Sequence, residues 1–278
     1  MNIKLRNYNF NIHPGNNKDA WEYINTGNWE PHSFDILDTF VKQDAVVMDI
    51  GAWSGVLSLY IANKASTVYA LDPDPVCFKE LQRNILLNPN LAKKITAFPI
   101  AISNKKEILN LSARTEYGSS SSSILNRKRD TEHATQITTI SLLDFLEQEQ
   151  IEQVDFIKMD VEGAEFKILP TMEAALKKMK YPTLYVSFHY SFLMEHFYYD
   201  AIPSKFLNKV FLKLESITGL SLFKKKMKKE MATLFDAVMD YQYIYTTSGK
   251  LITKAFLKQH PDCIKNQDLV FTNTKWIS

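Results

Sequence analysis

The chain has 278 residues, 45% hydrophobic and 23% charged, a composition that excludes a disordered, collagen-like or membrane-embedded polypeptide and leaves room for one large α/β domain or two small ones. Its 33 basic residues nearly balance 31 acidic ones, so the formal net charge of +2 gives no general attraction to polyanions and any basic surface is local. Two widely separated cysteines, Cys77 and Cys263, exclude a disulfide scaffold and a CxxC metal or redox site. The first fifteen residues hold no apolar signal-like core and no run reaches eighteen apolar residues, so a cytoplasmic protein without an integral membrane segment is expected.

Residues 1–44 read as an N-terminal helical cap, with a helix around Trp21 and a turn closed by Pro31. Residues 45–50 are a short β-branched apolar run carrying one acid, a strand buried on both faces as parallel sheets require. A helix follows at the spacing of Val56, Leu57, Tyr60 and Ile61. Residues 67–71 form a second strand, stopped by Asp72-Pro73-Asp74-Pro75, and residues 95–102 a third. Gly118 and five serines after it form a polar segment beside the site or on the surface, flanked by short strands at 108–111 and 136–140. Ser141 caps a helix, residues 155–160 are the fourth parallel strand, and residues 183–189 the fifth. A helical, lysine-faced insertion is expected at about 190–240, and antiparallel strands at 241–245 and 268–272 close the sheet. The fold class is therefore α/β, a doubly wound and mostly parallel seven-stranded sheet, with residues 45–278 as one domain carrying the insertion.

Ligands of such sheets sit outside the carboxyl ends of the strands, where the turn after the first strand approaches most closely. Gly51 and Gly55 in that turn let backbone come near a ligand and let the helix pack on the strand. Asp72, at the tip of the second strand, can accept hydrogen bonds from both hydroxyls of a ribose. Trp53 occupies the middle position, where a dinucleotide fingerprint needs glycine to admit a pyrophosphate. A nucleoside-containing cofactor without a pyrophosphate is the result.

These residues resemble the FkbM-type family of S-adenosylmethionine-dependent methyltransferases, within the Rossmann-like class I methyltransferase fold. Asp49-Ile50-Gly51-Ala52-Trp53-Ser54-Gly55 is similar to the family's D-x-G-A-N-x-G turn, and Ala70-Leu71-Asp72-Pro73-Asp74-Pro75 to its A-F-E-P-x-P strand end. Asp155-Phe156-Ile157-Lys158-Met159-Asp160-Val161-Glu162-Gly163-Ala164-Glu165 follows D-[LF]-[IL]-K-[IM]-D-V-E-G-A-E, and Gly27-Asn28-Trp29-Glu30-Pro31 resembles G-x-[YW]-E-P. The departures are Trp53 for Asn, Asp72 for Glu, and Ser187 for an acid at the fifth strand. The resemblance implies S-adenosylmethionine as cofactor and S-adenosylhomocysteine as product. It implies that Asp49 and the backbone of Ile50, Gly51, Ala52, Trp53 and Gly55 face the methionyl part. By the same resemblance Asp72 and Pro73 hold the ribose, Ala101 and Ile102 border the adenine, and Glu30 reaches the amino-acid end.

Methyl transfer to oxygen needs an aligned hydroxyl and a group to take its proton. Asp160 and His189, at strand ends next to the first, are the candidate bases. Glu162 stands nearby, and Lys158, on the same strand face as Asp160, is placed to stabilise an alkoxide. The first expectation is O-methylation of a hydroxyl on a sugar, glycan or small metabolite. A catalytically silent methyltransferase-like binding module and, less favoured, an NAD-dependent oxidoreductase are the alternatives. Mg²⁺ at Asp160, Glu162 and His189 is chemically possible but not favoured, because no further carboxylate on the fifth strand completes a set. The lysine run at 224–229 reads as the solvated face of an amphipathic helix, not a nucleic-acid site, and the oligomeric state stays open.

Overall fold

A computed structural model of the chain describes residues 1–113, 117–125, 134–194, 210, 213, 231, 233–265 and 267–276. The N-terminal segment is not helical from its start. Strands β1 (Asn2–Leu5) and β2 (Tyr8–Asn11) form an antiparallel hairpin, because the polar–apolar alternation there has period two and turns Ile3, Leu5 and Phe10 inward. Helices α1 (Lys18–Asn25) and α2 (Pro31–Phe40) follow, bringing Trp21, Ile24, Phe34 and Leu37 into the same apolar cluster as the hairpin.

Then come β3 (Val46–Ile50), α3 (Val56–Ile61), β4 (Thr67–Leu71), α4 (Pro75–Leu86), α5 (Pro89–Ala92) and β5 (Ile95–Phe98). The expected third strand is split. Pro99 has no N–H to continue the ladder, so β5 stops at Phe98 and β6 (Ala101–Ser103) joins a separate sheet with β7 (Glu107–Ser112) and β8 (Ala134–Ser141). After α6 (Leu142–Gln148) come β9 (Phe156–Met159), α7 (Glu165–Ile168), α8 (Glu173–Lys178) and β10 (Thr183–Val186). The chain ends with β11 (Tyr243–Thr246), β12 (Leu251–Ile252), α9 (Lys254–Gln259) and β13 (Leu269–Thr272).

The central sheet runs β12-β11-β13-β10-β9-β3-β4-β5, and its five strands from β10 to β5 are parallel. β13 enters antiparallel between β10 and β11. The sheet has eight strands because the chain after the Ser248-Gly249 turn folds back and pairs Ile252 with Ile244. Successive residues of β9 enter opposite layers: Phe156 packs with the N-terminal elements and α3, Ile157 with α6 and α8. The centre of the sheet is thereby rigid and its carboxyl edge is free to carry polar groups. Most of 190–240, including Phe197, Tyr198, Tyr199 and the lysine run, lies outside the described residues, but Met231 and Leu234 are buried in the same apolar cluster as Ile157, α6 and α8. Among the described residues no helix is long and apolar enough to cross a membrane.

Candidate active site

The turns after β3, β4, β9 and β10 meet at one edge. Gly51 and Ala52 both donate their N–H to the Leu71 carbonyl (2.9 and 3.0 Å), and Asp160 donates its N–H to the Ile50 carbonyl (2.9 Å), so three strand ends are tied together. Gly51 is in the left-handed region at φ 85°, and a Cβ there would overlap the Asp160 carbonyl oxygen and lie 2.9 Å from its carbonyl carbon. Only glycine allows that approach. Gly55, at φ 96°, serves the packing of α3, since a Cβ there would lie 2.8 Å from Leu81 Cδ1.

Asp72 is buried at the end of β4, where its Oδ2 accepts the Trp53 N–H (2.8 Å) and its Oδ1 the Asp74 N–H (3.0 Å). Each carboxylate oxygen keeps a second lone pair, so the side chain can also receive ribose hydroxyls. Burial outweighs the two N–H donors and pushes its pKa up to about 8. Asp74 caps α4 through Val76 N–H and Cys77 N–H, and its other oxygen accepts the Gly118 N–H (3.0 Å) and the Ser122 hydroxyl (2.7 Å). Gly118 in turn accepts from Trp53 Nε1 (2.9 Å) and Asn17 Nδ2 (2.8 Å). The serine segment is thus a roof beside the site. The Trp53 ring stacks on buried Trp21, centroids 6.0 Å apart and 14° from parallel.

Beneath this roof, Lys158 places its Nζ 2.9 Å from Asp160 Oδ2, with only 4% of its side chain exposed. Burial opposes its charge, but the carboxylates of Asp160, Asp49 and Glu30 outweigh burial and hold the ammonium above its ordinary range. Burial also raises the carboxyls of Asp49 and Glu30, against the pull of Lys158. Asp49 accepts the Ser58 hydroxyl at 2.6 Å, and Glu30 the Ser33 hydroxyl at 2.9 Å.

At the ends of β9 and β10, Asp160 Oδ1 and Glu162 Oε1 lie 3.5 and 3.6 Å from His189 Nε2, while Glu165 Oε1 lies 2.9 Å from Nδ1. Glu165 is fully buried and its Oε1 also accepts the N–H groups of Val161 and Gly163. Burial works against an imidazolium, but Glu165, Asp160 and Glu162 outweigh it and push His189 up to about 10. Burial likewise favours neutral Asp160, yet Lys158 and His189 prevail and hold its carboxyl below the usual range. The His189 ring is thus surrounded by three carboxylates, and two of them, Asp160 and Glu162, line the cavity with it.

A cavity of about 300 Å³ opens among these side chains. Its wall includes Glu30, Asp49, Ile50, Gly51, Ala52, Trp53, Asp72, Pro73, Ala101 and Ile102 together with Lys158, Asp160, Glu162 and His189. Gly55 stands behind it. Glu30, Trp53 and Glu162 have left-handed backbone at φ 42°, 49° and 54°, so three of the wall's side chains are presented from conformations that cost a non-glycine residue energy. Sequence reasoning missed Asp74, which it saw only as part of a strand stop, and the link from Glu165 to His189, which lies 24 residues away. Asp74 was findable as an N-cap; the histidine link has no local signal.

Residues 45–212 match the family model of the methyltransferase FkbM domain. Methyltransferase sdnD of Sordaria araneosa is 27% identical over 167 residues, 50% of this chain and 63% of that protein. The ribosomal protein L11 methyltransferase of Ruminiclostridium cellulolyticum is 41% identical over 59 residues, 21% of this chain and 19% of that protein. This chain therefore spans less than two thirds of either relative. Among solved structures, the methyltransferase FkbM of Methylobacillus flagellatus aligns with 82% of this chain and 43% of its own, at 17% identity and a TM-score of 0.43.

Proposed function

The chain belongs to the FkbM methyltransferase family, and from that premise we propose that it transfers the methyl group of S-adenosylmethionine to a hydroxyl oxygen of a sugar, glycan or small metabolite. The observation that carries this reading is one cavity whose wall holds both the Gly51 turn with Asp72, suited to a nucleoside, and the carboxylates of Asp160 and Glu162 beside His189, suited to orienting a hydroxyl. The cradle fits the cofactor, because Asp72 retains lone pairs for ribose hydroxyls and the Gly51 turn, held close against the Asp160 backbone, lines the same cavity. When bound, the cofactor supplies an activated methyl group on a sulfonium. Glu30 and Asp49 offer buried carboxylates to the positive end of its amino acid, while Ala101 and Ile102 give an apolar border to a base. Lys158 fixes the Asp160 carboxylate by holding Oδ2, which leaves Oδ1 to orient an acceptor hydroxyl and receive its proton. Trp53 fills the turn with an indole, which supports a cofactor without a pyrophosphate over an NAD-type one.

Domain organisation follows the same reading, with 1–44 as a cap whose apolar side chains share the core of the 45–278 methyltransferase unit. The test is calorimetry with S-adenosylhomocysteine followed by transfer of a labelled methyl group to fractionated glycans and metabolites. Binding abolished by Asp72→Ala together with label in a hydroxyl-bearing product is expected. No binding would sink the reading, and binding without transfer to any acceptor would leave only a silent binding module.

A further inference from the structure

The geometry points to a divalent-cation site formed by Asp160 Oδ1, Glu162 Oε1 and His189 Nε2, in the wall of the cavity. One ligand atom from each of the three residues lies within 4.8 Å of the others, and the two carboxylate atoms stand 3.5 and 3.6 Å from the ring nitrogen. Atoms at that separation fit around an ion with bonds of about 2.1–2.3 Å at angles near those of an octahedral or tetrahedral shell. The expectation against a metal rested on the missing acid at Ser187. The structure supplies that acid from elsewhere, as Glu165 on α7, and uses it differently.

Glu165 takes the Nδ1 side of the ring at 2.9 Å, so Nδ1–H donates to it and Nε2 is the nitrogen that faces Asp160 and Glu162, the one a cation would take in exchange for a proton. A buried carboxylate behind a histidine is the arrangement that orients imidazole ligands in metal proteins. The glutamate is 0% exposed and its Oε2 accepts no hydrogen bond among the described residues, so a buried anionic side chain both holds the turn after β9, through Val161 and Gly163 N–H, and fixes this ring. Charge gives an independent argument. Asp160, Glu162 and Glu165 surround one imidazole, and the nearby Lys158 ammonium already serves Asp49, Glu30 and Asp160, so the pocket holds more negative than positive charge. Two carboxylates with one imidazole suit Mn²⁺, Mg²⁺ or Zn²⁺ and leave coordination positions open toward the cavity. This inference rests on the methyl-transfer reading for its purpose. It assigns to the cation the work of lowering the pKa of the acceptor hydroxyl, whose proton passes to solvent water in the cavity as the oxygen takes the methyl group from the sulfonium, and it makes Asp160 a ligand instead of the direct proton acceptor.

The test uses the full chain freed of metal with a chelator, titrated with Mn²⁺ and followed by electron paramagnetic resonance, alongside calorimetry of S-adenosylhomocysteine in the chelator. One Mn²⁺ per chain is expected, weakened at least tenfold by Glu162→Gln and by His189→Gln. Glu165→Gln should weaken it by about 10–100-fold through the ring alone. Melting curves confirm that each variant folds; if one does not, the other two decide. Mn²⁺ binding weaker than about 1 mM in the parent chain, or equal in all folded variants, overturns the site. S-adenosylhomocysteine binding with no Mn²⁺ binding defeats the cation alone, whereas Mn²⁺ binding without S-adenosylhomocysteine binding defeats the methyl-transfer reading and leaves the cation.

Discussion

Replacing Gly51 with alanine tests whether the three strand ends must touch for the site to exist. At φ 85° an alanine pays about 1–2 kcal/mol for the left-handed backbone. Its Cβ would also occupy the position of the Asp160 carbonyl oxygen, so the β3 and β9 turns must separate, and overpacking of this kind costs about 1–3 kcal/mol. Separation further strains the bond from Asp160 N–H to the Ile50 carbonyl, worth about 1 kcal/mol. The sum is about 3–6 kcal/mol. At about 2–4 °C per kcal/mol for a chain somewhat smaller than this one, the melting temperature falls by about 6–24 °C. Gly27 is the matched control, at φ 79° with nothing within 4 Å of its Cβ position, so Gly27→Ala carries only the backbone cost of about 1–2 kcal/mol. Thermal melts by circular dichroism and calorimetry with S-adenosylhomocysteine read both effects. Equal shifts for the two variants, with cofactor binding intact in Gly51→Ala, would refute the close approach as the reason for glycine.

Other outcomes follow from the same geometry. Asp74→Ala removes the α4 cap, about 1 kcal/mol, and leaves Gly118 N–H and the Ser122 hydroxyl without their acceptor; a loss of about 2–3 kcal/mol is expected, with protease cutting near 117–125 in the variant and not in the parent. His189 is raised from its ordinary 6.5 to about 10, so its stabilising contribution is complete below about 6.5 and is lost as pH rises through 10. The parent should therefore lose more melting temperature between pH 7 and 10 than His189→Gln, and parallel slopes would contradict the carboxylate cage. Asp72 is pushed up to about 8, and ribose donors favour its ionised form, so affinity for S-adenosylhomocysteine should rise with pH toward 8 by up to about tenfold per unit, and stay flat in Asp72→Asn.

The parallel half of the sheet was legible because β3, β4, β9 and β10 are short apolar runs with acids or prolines at their ends, a pattern that burial on both faces imposes. The N-terminal hairpin was readable in principle, since Ile3, Leu5 and Phe10 alternate, but the tryptophans nearby drew attention to the helix instead. Pro99 marked the split of the third strand, yet a sequence does not show which sheet a strand joins. At the site, Gly51, Asp72 and Asp160 carry local signals of turn and strand end. The ties of Asp74 to Ser122 and of Glu165 to His189 span 48 and 24 residues, and such pairings become visible only when the chain is folded.

The stacked pair of Trp21 and Trp53 gives the molecule its own optical reporter. Through its backbone N–H Trp53 holds Asp72, and through its indole it holds the carbonyl of Gly118. A ligand that draws on Asp72 or lifts the serine roof must disturb the same ring, so occupancy of the cavity is written into the near-ultraviolet dichroism of two tryptophans that need no label.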